Sequence, residues 1–178
     1  MIEIKADTTA VTQALERLAR SAADTSPVMR AIAGVMHDAV MENFDQGGRP
    51  AWVPLKPATL AQKRKLGYGD KPLIRRGGGQ SLYSSITSRS DQNSAVVGTD
   101  VVYAAIHQFG GRTAPHVIKP RNKKALAWPG IRHPVRSVNH PGSLIPARPF
   151  LSLTDADEQK IVSKISDYLA RAVGGSQA

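Results

Sequence analysis

Apolar residues recur at helical spacing near the start of the chain, which predicts two consecutive amphipathic helices. The first helix begins near Thr8, with Asp7 or Thr8 as its N-cap. The second has Ser26 as its N-cap and Pro27 in its first position, and it continues toward Phe44. The two apolar stripes are Val11, Leu15, Leu18, Ala19 and Ala22, then Val28, Ile32, Val35, Met36, Ala39 and Val40.

A third helix is predicted at the other end of the chain, from Asp155 to the glycines at 174 and 175. Ile161, Ile165, Leu169 and Ala172 line one face of it. Acidic residues in its first turn complement the helix dipole. They are Asp155, Asp157 and Glu158.

Shorter apolar patterns lie elsewhere, mostly between the long helices, and predict strands and two short helices. Residues 2–5 alternate as a short strand, and residues 81–90 and 94–99 form two strands joined by a turn at 91–93. A basic helix capped by Thr59 covers 60–66, and another helix covers 102–109 before Gly110. A hairpin is predicted between 117–119 and 125–128, with a further strand at 135–138.

This order of elements predicts an α+β fold with a small, mostly antiparallel twisted sheet against two or three helices. The length of 178 residues suits a single domain, 1–178. Residues 44–150 hold 11 of the 12 prolines and 12 of the 15 glycines, so the middle is rich in long Gly/Pro loops. Trp52 is expected to anchor the Pro-rich segment at 49–57 to the core.

The net charge of +10 is concentrated in this same middle region. Residues 44–150 hold 17 of the 24 Lys and Arg residues and four acids, a net charge of +13, whereas the two ends together carry −3. Such an excess indicates a polyanionic or acidic partner. The alternative is a solvated surface that keeps the protein soluble.

Recognisable catalytic chemistry is missing from the sequence. The chain has no Cys, which excludes disulfides and Cys-ligated metals, and no Ser lies in a Gly-x-Ser-x-Gly elbow. Four histidines lack the spacing of metal ligands: His107, His116, His133 and His140. We therefore expect them to lie in turns or on the surface, and we expect no cofactor. A metal-dependent hydrolase is a third functional hypothesis. No segment is apolar enough to span a membrane, and no signal peptide is predicted.

Nonspecific DNA binding is the alternative function that the charge itself suggests. Clusters at 63–65, 75–76 and 121–124 can contact phosphates. Four aromatic rings, those of Trp52, Tyr83, Tyr103 and Trp128, can stack on bases or else anchor a small core. The sequence contains no helix-turn-helix, zinc-finger or ribonucleoprotein motif. The glycines at 77–79 lack the Gly-Lys-[Ser/Thr] ending of a phosphate-binding loop and indicate a flexible tip.

Four segments together resemble the virion morphogenesis, or tail-completion, proteins of Mu-like phages. They are Phe44-x-x-Gly-Gly-Arg-Pro-Ala-Trp-Val-Pro-Leu55 followed by Thr59 and Lys63; Leu73-Ile74 with Gly79-x-x-Leu82 and Ile86; Tyr103-Ala-Ala-Ile-His-Gln-Phe-Gly-Gly111; and Ile145-Pro-Ala-Arg-Pro-Phe-Leu151. Residues 112–143 align with no motif of that family.

The resemblance implies a non-enzymatic virion protein at the neck or the head-proximal end of the tail, assembled in the host cytoplasm. It implies a homo-oligomeric ring, contacts with other neck or tail proteins, and passing contact with packaged DNA, but no membrane and no small-molecule substrate. Arg148, held in extended backbone near two prolines, can reach an acidic neighbour. The candidate partner-binding residues are Trp52, Arg75, Arg76, Tyr103, His107, Phe109, Lys123, Lys124, Arg148 and Phe150. Packing within the monomer is the alternative role for each.

Overall fold

Five α-helices and six short strands make up the computed structural model, which describes residues 9–75, 81–128 and 131–174. The predicted α+β class is confirmed. The helices are α1 (Thr9–Ala23), α2 (Ser26–Gln46), α3 (Pro57–Lys65), α4 (Ala104–Phe109) and α5 (Asp155–Gly174). The strands are β1 (Thr87–Ser90), β2 (Ala95–Gly98), β3 (Gly111–Arg112), β4 (His116–Ile118), β5 (Val138–His140) and β6 (Leu144–Ile145).

The chain divides into two compact units. The first unit comprises Met1–Val101 and Phe150–Ala178, and the second unit comprises Val102–Pro149. Each unit holds its own antiparallel pairs: β1 with β2 in the first, and β3 with β6 and β4 with β5 in the second. The predicted small sheet is therefore three separate two-stranded sheets. No helix in the described ranges is long and apolar enough to cross a membrane.

Two predicted helix starts are wrong by one to three residues. Thr25, and not Ser26, is the N-cap of α2, and the Asp24 carboxylate accepts a hydrogen bond from the Ser26 amide at 3.1 Å. Helix α3 begins at Pro57, so Thr59 lies inside its first turn. A proline fixes φ near the helical value and suits a first turn, which explains the earlier start. The predicted caps Asp7 and Thr8, the strand at 2–5 and the glycines at 77–79 lie outside the described residues.

The core of the first unit is built around Phe44, which is fully buried near the end of α2. Its ring meets Trp52 and Tyr83 edge-on, with centroids 5.9 and 5.6 Å away, and Phe150 at 5.3 Å. Such aromatic pairs add to the burial of apolar area. The prediction that Trp52 anchors the Pro-rich segment is confirmed, since it is only 7% exposed.

Helix α5 packs against both α1 and α2 in this unit. The Tyr168 hydroxyl donates to the Ser21 carbonyl at 2.8 Å, and Arg17 Nη2 donates to the Val173 carbonyl at 3.0 Å. Only part of the predicted stripe is buried: Ala172 is enclosed, whereas Ile165 and Leu169 remain 38% and 42% exposed.

The hairpin of β1 and β2 has the predicted turn, in which the Asp91 carboxylate accepts hydrogen bonds from the Asn93 and Ser94 amides at 2.7 Å. The first strand is shorter than predicted. Residues 83–85 form a 3₁₀ turn, in which the Ser85 hydroxyl donates to the Leu82 carbonyl at 2.8 Å. Serine side chains that bond to nearby backbone in this way compete with strand pairing.

The second unit contains α4 followed by one antiparallel ribbon. Gly111 faces Ile145, His116 faces His140 and Ile118 faces Val138, so β3 and β4 pair with β6 and β5 in a single register. We call residues 111–118 and 138–145 the ribbon, and residues 119–128 and 131–137 the ribbon tip. Gly142 permits the close approach of the two strands, because a Cβ there would lie 2.0 Å from the Thr113 carbonyl oxygen.

The predicted hairpin between 117–119 and 125–128 is wrong. Residues 117 and 118 pair with 139 and 138, and Leu126 instead exchanges two backbone hydrogen bonds with Val135, at 2.7 and 3.0 Å. The prediction joined the two nearest apolar runs. The chain instead closes a longer loop, which leaves the basic segment between them at the ribbon tip.

Candidate interaction surface

The Gly-Gly-Arg-Pro-Ala-Trp motif at 47–52 builds the turn that follows α2. Gly47 caps the helix in the left-handed conformation, with φ 75°. Gly48 has φ 102°, and a Cβ there would lie 2.4 Å from Trp52 Cδ1. Only glycine suits that position, because an L side chain is strained at this φ and would collide with the indole. The turn therefore places the indole of Trp52 against Phe44.

Arg49 extends from this turn into a buried polar network. Its Nε donates to Asn43 Oδ1 at 2.8 Å, its Nη2 donates to the Ala39 carbonyl at 2.8 Å, and the same Nη2 lies 2.8 Å from Asp157 Oδ2. Asn43 in turn donates to the Phe150 carbonyl at 2.9 Å. This network ties the end of α2 to the start of α5, as is expected of a buried charge that is fully paired.

The Asp157 carboxylate is almost completely enclosed, with a side chain 1% exposed. Burial by itself raises the pKa of Asp157, but hydrogen bonds from Thr154, Arg49 and Lys160 outweigh that effect and lower the pKa to about 2. Asp157 is thus ionised at neutral pH. Its role is structural, because its partners are residues of the same unit.

In the second unit, the motif at 103–111 packs against the segment that follows β6. The Arg148 amide donates to the His107 carbonyl at 2.7 Å, and a Cβ on Gly110 would lie 2.8 Å from the Ala147 nitrogen. Burial, and then the Arg148 charge, lower the pKa of His107 and so favour its neutral imidazole. Arg148 itself is buried. Two of the four sequence segments therefore meet within one unit.

The segment 102–109, which includes α4, also presents large apolar side chains to solvent. Val102 is 97% exposed and Phe109 is 79% exposed, one at each end of the helical segment. Tyr103 is half-exposed and meets His107 edge-on at 5.9 Å. Tyr103 and Phe109 thus remain candidate contacts for a partner, and Val102 is a further exposed apolar side chain of the same segment.

The remaining candidate residues fall in different places. Phe150 and Trp52 both lie in the core of the first unit, where each side chain contributes to packing. Arg75 is exposed and bonds to the Tyr68 hydroxyl at 3.0 Å, whereas Arg76 lies outside the described residues. Lys123 and Lys124 are exposed on the ribbon tip. Partner binding stays a prediction for each of them.

The absence of acidic residues from the second unit was not recognised from the sequence. Residues 102–149 contain eight Lys and Arg residues, four of the five histidines and no Asp or Glu. None of these cations has a carboxylate partner within its own unit. The signal was present in the sequence, since no acid occurs between Asp100 and Asp155.

Two of the four histidines of the second unit lie together. His116 and His140 face each other across β4 and β5, and their rings stack with centroids 5.0 Å apart. No group of three or more His, Asp or Glu residues within 9–75, 81–128 and 131–174 could hold a metal ion.

Comparison with known proteins assigns the family. The model of the phage virion morphogenesis family matches residues 6–170, a range that includes nearly all of both units. The chain belongs to the phage virion morphogenesis family. The resemblance inferred from the four sequence segments is thereby confirmed. Membership makes the chain a phage assembly protein of a virion-associated, structural family.

Two relatives show how far this family resemblance extends. The chain is 41% identical to Mu-like prophage FluMu G protein 2 of Haemophilus influenzae over 169 residues, which cover 94% of this chain and 96% of the relative. It is 23% identical to the putative capsid assembly protein G of Escherichia phage Mu over 176 residues, 97% and 96% of the two chains. No solved structure matches the chain.

Proposed function

We propose that this virion morphogenesis protein completes the tail and joins it to the head as a ring-forming component of the neck. The observation that carries the proposal is the surface of the second unit. It exposes Val102 and Phe109 on a segment typical of the family, and the unit has seven exposed Lys and Arg residues and no Asp or Glu. Apolar anchors within a charged surface are what a protein interface requires.

A ring arises when one surface of each copy binds a different surface of the next copy and the rotation closes. The charge distribution supports contacts of this type. All 14 carboxylates of the chain belong to the first unit, and the second unit is purely cationic. The first unit also holds 16 Lys and Arg residues and is net positive by two, so the second unit would meet individual acidic side chains of another copy, or an acidic surface of another neck protein.

Electron microscopy of particles assembled without this protein tests the proposal. We expect filled heads and finished tails that stay separate, and we expect expression of the intact chain to restore joined particles. Normal joining without the protein would contradict the proposal. A monomer in dilute solution would not, since the ring is expected to form on the particle.

Nonspecific DNA binding is the second candidate function, and the acid-free second unit favours it. Neutralising phosphates with these cations would make the affinity fall with salt, with a slope near −0.9 per phosphate contacted. The cations on and near α3 fit the role less well. Arg64 pairs with Asp70 at 2.8 Å, and Lys63 donates to the backbone carbonyls of Lys71 and Ile74. Unchanged DNA affinity after charge reversal of the ribbon tip would exclude this candidate.

A further inference from the structure

The ribbon tip holds an apolar pocket that neither the family assignment nor the proposed function explains. The pocket has a volume of about 270 Å³ and is lined by Ile118, Leu126, Ala127, Trp128 and Val138. Every lining side chain is apolar, yet the Trp128 side chain is 49% exposed and Ile118 is 37% exposed. Solvent therefore reaches apolar surface that a folded domain normally covers.

The backbone around this pocket is fixed by pairing within the unit. Val138 faces Ile118 in the ribbon register, and Leu126 is held by its two hydrogen bonds to Val135. Three of the lining residues thus sit on paired backbone. A pocket on paired backbone is largely formed before a ligand arrives, which lowers the entropy cost of binding.

Cations surround the pocket along the chain. Six exposed Lys and Arg residues belong to the ribbon tip, and the unit offers them no carboxylate. They are Lys119, Arg121, Lys123, Lys124, Arg132 and Arg136. Charge complementarity therefore requires an acidic ligand, and the apolar lining requires that the ligand carry a large apolar group.

We propose that the ribbon tip is a docking site for an acidic protein segment that inserts one large apolar side chain into the pocket beside Trp128. The proposal rests on the assembly function above, which makes the partner another virion protein. Tryptophan and arginine are the residues most enriched where interfaces concentrate their binding energy. Carboxylates on either side of the inserted side chain would meet the cations that flank the pocket.

A protein segment fits this pocket better than duplex DNA does. Phosphates would satisfy the six cations, but a duplex keeps its bases stacked inside and offers the pocket no apolar group larger than a thymine methyl. A single strand could stack a base on Trp128, and among the lining side chains only the indole N–H of Trp128 could hydrogen-bond to that base. The two nucleic-acid ligands are therefore outcomes that the test must separate.

Titration of the ¹⁵N-labelled full chain tests the proposal directly, because the chain has two tryptophans in contrasting places. The probe is a synthetic nine-residue peptide with a central leucine between four carboxylates on each side. We expect the indole N–H signal of Trp128 to shift saturably and that of the buried Trp52 to stay unchanged. A peptide with serine in place of leucine should bind about tenfold more weakly at the same charge.

Matched variants complete the experiment. Trp128→Ala should weaken binding of the leucine peptide about tenfold, whereas Val117→Ala, on the opposite face of the ribbon, should leave it unchanged. Equal binding of the two peptides would overturn the proposal, because charge alone would then explain the affinity. A shift of Trp128 by oligo-dT or duplex DNA, but not by the leucine peptide, would also overturn it.

The experiments can disprove the docking site and the proposed assembly function separately. If particles lacking the chain join normally, the neck function fails whatever the peptide does. If joining requires the chain but the leucine peptide does not bind at Trp128, only the docking site fails.

Discussion

Arg49 is the residue on which the first unit depends most for its polar contacts. It neutralises the buried Asp157 carboxylate and also satisfies Asn43 and the Ala39 carbonyl. Removal of one partner from a buried ion pair leaves the other charge buried and uncompensated. The resulting loss of stability is far larger than the net stabilisation that the intact pair provides.

Arg49→Met should therefore lower the free energy of unfolding of the first unit by about 3–5 kcal/mol. Arg64→Met is the matched control, since Arg64 pairs with Asp70 on the surface, where solvent screens the pair, and its loss should hardly change the free energy of unfolding. Urea denaturation followed by Trp52 fluorescence in a Trp128→Phe background measures both values. Similar small losses in the two variants would show that the buried network contributes little.

Asp157 makes the stability of the same unit depend on pH. Its folded pKa of about 2 lies below 3.8, the usual value for an aspartate, so its contribution to stability is complete above about pH 4 and is lost as pH falls toward 2. A shift of this size corresponds to about 2 kcal/mol. We expect the stability difference between the natural chain and Asp157→Asn to shrink by about that amount between pH 5 and pH 2. A constant difference would contradict the assignment.

Two glycines of the first unit should respond in opposite ways to alanine. Gly48→Ala should destabilise the unit by about 1–3 kcal/mol, because the Cβ collides with the Trp52 ring at a φ that alanine tolerates poorly. Gly34→Ala should stabilise it by about 1 kcal/mol, since Gly34 lies inside α2 and nothing lies within 4 Å of an added Cβ. Thermal unfolding of both variants checks the pair; a loss of stability in both would refute the local argument.

At the scale of elements, the ribbon of the second unit depends on one continuous register. Val117 lies directly opposite Asn139. Because the chain has no cysteine, Val117→Cys with Asn139→Cys introduces a single pair, which should form a disulfide on mild oxidation. Val117→Cys with Pro141→Cys, offset by two residues, should keep its free thiols. A thiol assay separates the two, and the reverse result would show a different register.

Local sequence predicts the elements whose contacts are local. The stripes of α1, α2 and α5 repeat at the helical period, and the Asp91 turn is encoded by its own side chains. The pairing of the ribbon strands was not predicted, because Gly111 and Ile145 are far apart in the chain and neither segment carries a local pattern that indicates its partner. Arg49 and Asp157 were missed for the same reason: their role appears only when α2 and α5 meet.

Of the candidate interaction surface, the sequence predicted the positive charge but not the pocket. Composition located the basic middle region, and the family motifs drew attention to Phe109 and the helix around it. The pocket at Trp128 was not predicted, because it forms where Ile118, Leu126 and Val138 converge from three separate segments. Pairing between distant segments is a property of the tertiary fold and leaves no periodic signal.

At the scale of the whole molecule, positive charge is divided unequally along the chain. The first unit carries all the carboxylates, so its cations have partners of opposite sign available, whereas the second unit has none. We therefore expect the effect of a charge reversal on particle assembly to depend more on its position in the chain than on the change in net charge.

Reversal of Lys123 and Lys124 to Glu should lower the yield of joined particles by about tenfold, because the acidic partner then meets like charge. Lys56→Glu with Lys65→Glu is the matched control, since it makes the same change in net charge on exposed residues of the first unit. Counting joined particles by electron microscopy compares the two. Equal losses would indicate that net charge, and not the ribbon tip, governs assembly.

The central claim is that this family member joins tails to heads. Its most direct test is to mix separated heads and tails, taken from particles assembled without the chain, with the purified full-length protein. Addition of the protein is predicted to restore joined, infectious particles, with a yield that rises with protein concentration and saturates. Heads and tails that join equally well without the protein, or that stay separate at every concentration of it, would contradict the claim.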